Sequence, residues 1–429
     1  MCAEINGKSY IFKGARVIDP ARGVDAVMDI GVAEGRVVDP GQIANPEVVD
    51  LSGKILSPGF IDLHVHLRQP GNNMAETIAS GTAAAAAGGF TSIVAMPNTN
   101  PPADTAGAIE FLRQTAAQEG MVHVLPCGCM PKNYEGREMA GIGSLKAAGV
   151  VALSDDGRCI QDHSLMRHVV EYAKSFNLPI LDHCEEKTLA ADGVMNEGKW
   201  SVLLGMNGIS GASEELMVAR NIILARQIGW KIHMQHVSVK ESVELLRNAR
   251  AKGIPVSGEA TPHHLTLTDE CIKTYSTNYK MNPPLRSEED RLALIEGVAD
   301  GTITVIATDH APHTRTAKLV EFDYAPFGII GLETALPLCY TELVAKGVID
   351  LAALVKLFTT GPAEVLGIEN YSLAEGRPAD IVIFDPARKY TIDADKFKSN
   401  SRNTPFNGRE VECKVWGTLV NGKMVYCEE

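Results

Sequence analysis

The most informative residues are two histidines, His64 and His66, at the end of a mostly apolar run. Residues 59–66 follow the turn pair Pro58-Gly59, and such a run is typical of a buried parallel strand. Because successive side chains of a strand point to opposite faces, the two imidazoles share one face and could reach one metal ion. Taken alone, the pair could equally be two buried histidines, each with a local hydrogen bond.

Seven further apolar runs follow, and helix-like segments separate them. The runs are residues 91–96, 123–129, 150–154, 180–183, 231–236, 254–259 and 304–309. Eight strands alternating with helices predict an α/β fold, a (β/α)8 TIM-type barrel. In such a barrel the active residues gather at the C-terminal ends of the strands.

Histidine or aspartate occurs at five of these strand ends, although the chain has only 12 histidines. Besides His64 and His66, the candidates are Asp155, Asp156, His183, His236 and Asp309. Four imidazoles with carboxylates form a ligand set that suits zinc or a similar divalent ion. So many ligands could hold two metals about 3.5–4 Å apart, with a carboxylate bridging them.

Both ends of the chain have a different character. Residues 8–56 and 379–429 contain short strand-like pieces, and Asn421-Gly422 between two apolar runs predicts a hairpin. Each end is too small to be stable alone, so we expect both to form one small β-sandwich module. The predicted domains are therefore 1–57 with 367–429 for this module, and 58–366 for the catalytic barrel.

Composition narrows the class of protein. The chain has 429 residues, 45% of them hydrophobic, and a net charge of −13, which argues against a nucleic-acid or anionic-membrane surface. Neither a signal-peptide pattern nor an apolar run of about 18 residues is found. Nine cysteines without a framework predict free, mostly buried thiols in a reducing compartment, so a cytoplasmic protein is expected.

The motifs together resemble those of the class I bacterial dihydroorotases, which belong to the amidohydrolase superfamily. The resemblance covers nearly the whole chain, and its most specific parts are Asn-Pro-Pro-Leu-Arg and Thr-Asp-His-Ala-Pro-His. The matching segments are residues 60–68, 96–99, 155–157, 182–185, 280–286 and 307–313. The family usually has glutamate after the arginine of His-Leu-Arg, whereas this chain has Gln69. Gln69 is not expected to be a ligand, but it could alter the loop around Arg68.

The resemblance implies a metal-binding site with one or two zinc ions per chain. Carried over by this resemblance, His64, His66 and Asp309 would hold one metal, and His183 and His236 a second. Asp156 would bridge them, with Asp155 as the competing choice. Many superfamily members use a carboxylated lysine as the bridge, but the matching strand end here contains no lysine. His310, His263 and His264 are expected to support the site, and His123, His163, His168 and His233 are interpreted as surface or core residues.

The resemblance also implies a substrate with a carboxylate. Arg68, Asn98 and His313 would bind that carboxylate, since a guanidinium matches it with two parallel hydrogen bonds. Asn282 would contact the ring, although a turn residue ahead of two prolines is the alternative for this position. The loop 312–328 could cover the site.

The expected function is that of a hydrolase, a zinc-dependent dihydroorotase of pyrimidine (UMP) biosynthesis. It would reversibly cyclise N-carbamoyl-L-aspartate to dihydroorotate, with Asp309 moving the proton to the leaving nitrogen. The alternatives are another cyclic-amide hydrolase (a hydantoinase or an allantoinase) and an inactive scaffold for aspartate transcarbamoylase. The expected partner is a small-molecule substrate rather than nucleic acid or membrane. We also expect a homo-oligomer, and association with the transcarbamoylase is compatible with the resemblance.

Overall fold

The computed structural model describes residues 9–428. The strands in chain order are β1 Ser9–Asp19, β2 Val24–Ala33, β3 Arg36–Val38, β4 Glu47–Asp50, β5 Ile55–Pro58, β6 Phe60–Val65, β7 Phe90–Ala95, β8 His123–Cys129, β9 Ala152–Ser154, β10 Ile180–Asp182, β11 Met195–Asn196, β12 Gly208–Ile209, β13 Ile232–Met234, β14 Val256–Ala260, β15 Val305–Ile306, β16 Ile381–Thr391, β17 Glu410–Val420 and β18 Lys423–Cys427.

The α-helices in chain order are α1 Ile78–Ala87, α2 Ala106–Glu119, α3 Ile142–Ala148, α4 His163–Ser175, α5 Lys187–Ala190, α6 Lys199–Leu204, α7 Gly211–Ile228, α8 Lys240–Ala251, α9 Pro262–Thr266, α10 Glu288–Ala299, α11 Arg315–Lys318, α12 Ala335–Cys339, α13 Leu351–Phe358 and α14 Thr360–Leu366. Several begin at polar caps that the sequence supplies locally. Asp162 accepts hydrogen bonds from the first backbone N–H groups of α4, and Ser287 with Asp290 forms a capping box on α10.

Eight parallel strands form the barrel, in the order β6, β7, β8, β9, β10, β13, β14 and β15, which confirms the predicted barrel. Closure between the first and last strands depends on residues just beyond β15. The backbone N of His66 donates to the carbonyl of His310 over 2.9 Å, and the N of His310 donates to the carbonyl of His64 over 3.3 Å. Barrel closure thus brings the first and last candidate metal-binding segments side by side.

Both chain ends build one β-module. Its strands form one continuous sheet in the order β18, β17, β16, β5, β1, β2 and β3, with β4 paired to β1. The alternation of β16 explains how this sheet lies on the barrel. Ile381 and Ile383 belong to the core of the module, whereas Val382 and Phe384 pack in the large core around the barrel helices. The limits 57/58 and 366/367 of the two domains stay a prediction.

The barrel interior is apolar below the strand ends. It contains Ile61, Val94, Cys127 and Leu181 from four strands, all fully buried, and residues of α14 pack against them. Residues 9–428 include no helix that is long and apolar enough to cross a bilayer. In the same range seven cysteines are free thiols and six of these are buried, whereas Cys427 is disulfide-bonded, so the prediction of free thiols is wrong at Cys427.

Candidate metal centre

The structure brings all six predicted metal ligands together at the C-terminal ends of the barrel strands. They are His64 in β6, His66 just after it, Asp156 after β9, His183 after β10, His236 after β13 and Asp309 after β15. All are at most 6% exposed. His236 and Asp309 have positive φ angles, 31° and 47°, which is costly for residues with a side chain and is characteristic of functional sites.

The first group of ligands surrounds two carboxylates. Nε2 of His64 lies 3.2 Å from Oδ1 of Asp156 and 3.4 Å from Oδ1 of Asp309. Nε2 of His66 lies 3.1 Å from Oδ1 of Asp309 and 3.4 Å from Oδ2 of Asp156. A cation among these atoms would therefore meet two imidazole nitrogens and two carboxylates.

The second group shares Asp156 with the first. Nδ1 of His183 lies 3.5 Å from Oδ1 of Asp156, and Nε2 of His236 lies 3.6 Å from the same oxygen. The two imidazole nitrogens are 2.9 Å apart. Two triads with ligand-compatible spacing result, one of His64, His66 and Asp156 and one of Asp156, His183 and His236. One carboxylate between two pairs of imidazoles is the arrangement expected of a bridged two-metal site.

The residues fit a divalent metal by their chemistry and by their hydrogen bonds. Nε2 of His64 is buried without a hydrogen-bond partner, although the ring is fully enclosed. On its other side, Nδ1 lies 3.2 Å from Oε1 of Glu259, and Nδ1 of His66 lies 2.9 Å from Oδ1 of Asn98. Nε2 of Gln235 also lies 3.1 Å from Nδ1 of His64. The acceptor oxygens of Glu259 and Asn98 favour the tautomers with the proton on Nδ1, in which each Nε2 keeps its lone pair for a metal.

The electrostatics of the site favour ionised carboxylates. Burial alone would raise the pKa of Asp156, but the surrounding imidazoles of His64, His183 and His236 hold this pKa well below its usual range. Burial would also raise the pKa of Asp309, but the surrounding imidazoles of His64, His66 and His236 lower it. Both side chains are thus acceptor-only groups, ready for a cation.

Asp155, the competing choice for the bridge, is not in the centre. Its Oδ2 accepts a hydrogen bond from the backbone N of Ile160, and burial raises the pKa of its carboxyl group. The two adjacent aspartates therefore have different surroundings, and the geometry favours Asp156 as the bridge. Lys146, upstream of this strand, lies in helix α3.

Arg68, Asn98 and His313, which are predicted to bind the substrate, each have a hydrogen-bond partner in the protein. Arg68 is half-buried, and its Nε donates to the carbonyl of Pro312 over 3.2 Å. The Asn98 amide contacts His66 and also donates to Oδ2 of Asp156 over 3.2 Å. Nε2 of His313 donates to the carbonyl of Phe327 over 2.7 Å. This N–H group, which a substrate carboxylate could otherwise accept from, is therefore already used within the protein.

Comparisons with known proteins agree with this geometry. The model of the amidohydrolase family matches residues 55–425. The chain belongs to the amidohydrolase family. It is 48% identical over 420 residues to a protein of Caldanaerobacter subterraneus subsp. tengcongensis named dihydroorotase, covering 97% of both chains. A protein of Pelotomaculum thermopropionicum with the same name is also 48% identical, over 97% of this chain and 98% of its own.

Solved structures of amidohydrolases share the fold. The L-hydantoinase of Arthrobacter aurescens superposes with a TM-score of 0.86 at 26% identity, covering 97% of this chain and 95% of that one. A D-hydantoinase of a Bacillus species reaches a TM-score of 0.85 at 25% identity. Identity to the relatives named dihydroorotase is thus almost twice as high, which confirms the predicted resemblance to dihydroorotases.

The histidines expected to support the site differ in their partners. Nε2 of His310 lies 3.1 Å from Oε2 of Glu76, and His264 links Thr261 to the carbonyl of Pro283. His263 is buried, and its Nε2 has no hydrogen-bond partner. Among those interpreted as ordinary, His163 and His168 are exposed and His123 pairs with Asp380.

Two carboxylates of the site were missed by sequence reasoning. Glu259 in β14 is fully buried and lies 3.0 Å from Nε2 of His233, so His233 is a second partner of the carboxylate that orients His64. Glu185 follows His183 by two residues and accepts a hydrogen bond from Asn282. Their positions at strand ends were the available signal, since Glu259 lies at the end of a predicted strand and Glu185 belongs to the Asp-His-Cys-Glu segment.

Gln69, the departure from the usual motif, has a local structural role. Its Oε1 accepts a hydrogen bond from the backbone N of Ile78 over 2.9 Å, at the first turn of α1. An amide oxygen can accept this hydrogen bond in place of a carboxylate oxygen. The replacement therefore leaves the loop that carries Arg68 tied to α1.

Proposed function

We propose that the protein is a zinc-dependent dihydroorotase that interconverts N-carbamoyl-L-aspartate and (S)-dihydroorotate. The observation that carries the proposal is the carboxylate of Asp156, which two pairs of buried imidazoles share. Relatives named dihydroorotase at 45–48% identity support the choice of substrate. The ring amide of dihydroorotate is the bond that such a site would hydrolyse.

One or two zinc ions are proposed, held by His64, His66 and Asp309 on one side and by His183 and His236 on the other, with Asp156 shared. A bound ion of this kind lowers the pKa of water from 15.7 to about 7 and polarises a carbonyl group. The protein's own contribution is to hold these side chains in place with Glu259 and Asn98.

Asp309 is the proposed proton carrier. Its depressed pKa keeps it ionised, so it can accept the proton of the attacking water at Oδ1 or Oδ2. It can then donate that proton to the amide nitrogen, which leaves as the ureido group. In the ring-forming direction the same carboxylate takes the proton from the ureido nitrogen and gives it to the oxygen that leaves the carbonyl carbon as water.

The substrate carboxylate is proposed to bind between Arg68, Asn98 and His313. Asn98 uses one hydrogen of its Nδ2 on Asp156 and has a second hydrogen to give. Burial and the charge of Arg68 lower the pKa of His313 to about 3, so the free imidazole is neutral. An anionic substrate beside it would favour the protonated form, which offers a second N–H donor at Nδ1.

Turnover measurements with the zinc-loaded protein test the proposal. We expect hydrolysis of dihydroorotate at alkaline pH and ring closure of N-carbamoyl-L-aspartate at acidic pH, with no turnover of hydantoin or allantoin. Turnover of hydantoin at a rate equal to or above that of dihydroorotate would reassign the protein to the hydantoinases, whose fold it shares. Homo-oligomer formation and association with aspartate transcarbamoylase stay predictions.

A further inference from the structure

Glu185 lies between the metal centre and the proposed ring-binding residue. Its Oε2 accepts a hydrogen bond from Nδ2 of Asn282 over 2.6 Å and lies 3.7 Å from Nε2 of His183. Its Oε1 binds Nζ of Lys187, which also donates to the carbonyl of Gly157 over 3.3 Å. Glu185 is only 6% exposed, so these contacts fix it in a nearly closed environment.

A carboxylate beside an amide decides how that amide is oriented. The oxygen and nitrogen of an asparagine side chain are nearly isosteric, and only their partners select between the two orientations. A carboxylate can accept but cannot donate, so Glu185 requires Nδ2 of Asn282 on its own side. Oδ1 of Asn282 makes no hydrogen bond to any of residues 9–428, which leaves an acceptor for the ligand.

The chemistry of dihydroorotate indicates which group that acceptor would meet. Hydrolysis to N-carbamoyl-aspartate breaks the bond between N3 and C4, so the N3 hydrogen belongs to the reacting amide. The N1–H group is then the ring donor that remains for recognition, and N1 is bonded to the carbon that carries the carboxylate. An acceptor on the protein distinguishes a ring with N1–H from one without it, because an unpaired buried oxygen is costly.

We propose that Glu185 is a positioning residue, which holds the Asn282 amide with Oδ1 towards the substrate so that it accepts the N1–H of the ring. This inference rests on the proposed function, and it adds a determinant of ring specificity. Lys187 serves the same purpose by tying Glu185 to the turn that follows Asp156.

A swap of the two side chains tests the pairing. Asn282→Asp alone brings two carboxylates together, and we expect KM for dihydroorotate to rise more than about tenfold. Adding Glu185→Gln restores the hydrogen bond with the roles exchanged, because the amide nitrogen at position 185 now donates to the carboxylate at position 282. The second oxygen of that carboxylate is still available as an acceptor for the ring. We expect this double variant to recover KM to within about threefold of wild type, with kcat and metal content near wild type in both.

Glu186 provides the matched control, because it is the same residue type one position on and its carboxylate accepts hydrogen bonds only within the first turn of α5, from the Thr188 hydroxyl and the backbone N of Leu189. Glu186→Gln should leave KM unchanged and should not rescue Asn282→Asp. An unrescued KM in the Glu185→Gln/Asn282→Asp protein, or equal rescue by Glu186→Gln, would overturn the inference. Melting curves and zinc analysis of each variant separate loss of fold or metal from loss of recognition.

The wild-type enzyme gives a test that needs no variant. N1-methyl dihydroorotate keeps the reacting amide but lacks the N1 hydrogen, so its KM should exceed that of dihydroorotate by about tenfold or more. The Asn282→Ala variant should lose most of this discrimination, whereas equal KM values for both rings in wild type would remove the role of Oδ1. Wild-type protein that does not turn over dihydroorotate at all would instead disprove the proposed function, so the two failures are distinguishable.

Discussion

The same barrel strands have two contrasting environments a few residues apart. Ile61 in β6 is fully buried among apolar side chains, whereas His64, three residues later, is fully buried among ionisable groups. Strand β10 repeats the change, from Leu181 in the interior to His183 at the end. The apolar part determines where each strand lies, and the polar part uses that rigid position for chemistry.

The two environments are stabilised differently. In the interior, burial of apolar surface is itself favourable, at about 25 cal/mol per Å². At the strand ends, burial is unfavourable for each charge and is offset by partners. Asp182, for example, accepts hydrogen bonds from Arg220 over 2.9 Å and from Asn221 over 2.5 Å. Substitutions at the strand ends should therefore change chemistry, and substitutions in the interior should change stability.

The largest effect is expected at Asp309. Asp309→Asn cannot accept the proton of the attacking water, and general acid–base catalysis contributes roughly 10²–10⁴-fold. We therefore expect kcat to fall by at least about 10²-fold in metal-loaded protein, with a melting temperature near wild type. Steady-state rates normalised to measured zinc content check this, with the exposed Asp192→Asn as the control. Activity within a few-fold of wild type would remove Asp309 from the mechanism.

The bridge gives the second prediction. Asp156→Ala removes the carboxylate that both imidazole pairs share, so zinc content after dialysis should fall, most of all at the site of His183 and His236. Because aspartate, unlike a carboxylated lysine, needs no carbon dioxide, wild-type reconstitution in degassed buffer should not depend on added bicarbonate. A strong bicarbonate requirement would mean that a lysine bridges the metals.

These two predictions use residues that the sequence itself indicates, and the reason is local. His64 and His66 are two residues apart on one strand, and the other ligands follow recognisable strands, so alternation and barrel geometry place them. Glu259 and Glu185 could not be placed in this way. Their partners His64 and Asn282 lie 195 and 97 residues away, and such pairings depend on how the whole barrel closes.

The β-module shows the same limit at the level of the fold. Its strands and the turn at Asn421-Gly422 follow from local patterns, and the structure has a tight turn there between β17 and β18. The pairing of β5 with β16 joins segments more than 300 residues apart. No local pattern specifies that contact, nor the insertion of β1 between β5 and β2.

A substitution in the apolar interior of the barrel should change stability without changing catalysis. Ile61→Ala should lower the free energy of unfolding by about 2–5 kcal/mol, because it leaves a cavity in a fully buried site. At a temperature where the variant is folded, kcat per bound zinc should match wild type. Denaturant titration and kinetics measure both, with Leu189→Ala at an exposed position as the control. A loss of kcat as large as that of Asp309→Asn would show that the two environments are not separable.

Arg68 gives a smaller effect, on substrate binding. Arg68→Met removes a charged hydrogen-bond partner of the proposed carboxylate, which costs roughly 1.5–3 kcal/mol, or about 10- to 100-fold in kcat/KM. Zinc content should stay near wild type, because no metal ligand changes. Elemental analysis measures the zinc content and steady-state kinetics with dihydroorotate measure kcat/KM, with Arg226→Met at an exposed position as the control. A variant that loses zinc but has normal kinetics after reloading would contradict the assigned role.

The smallest effect is expected at Glu333, a partly buried carboxylate outside the metal centre. Burial raises the pKa of Glu333 to about 7, against hydrogen bonds from the backbone N of Lys398 and Ser399, whereas imidazole partners at the metal centre lower the pKa of Glu259 to about 2. A raised carboxyl pKa means that the folded state binds the proton more tightly than the unfolded chain. Its stabilising contribution is therefore complete below about pH 4.5 and is lost as the pH rises through 7.

Glu333→Gln removes this titration and keeps an oxygen that accepts both backbone hydrogen bonds. Relative to wild type, the free energy of unfolding of the variant should rise between pH 5 and pH 8.5, by on the order of 1–3 kcal/mol. Urea titrations of both proteins at the two pH values give this difference, and Glu375→Gln at an exposed position should show none. A difference that is independent of pH would mean that Glu333 is ionised in the folded protein throughout this range, and that two backbone donors with the nearby charge of Arg402 stabilise its carboxylate as the imidazoles do at the metal centre.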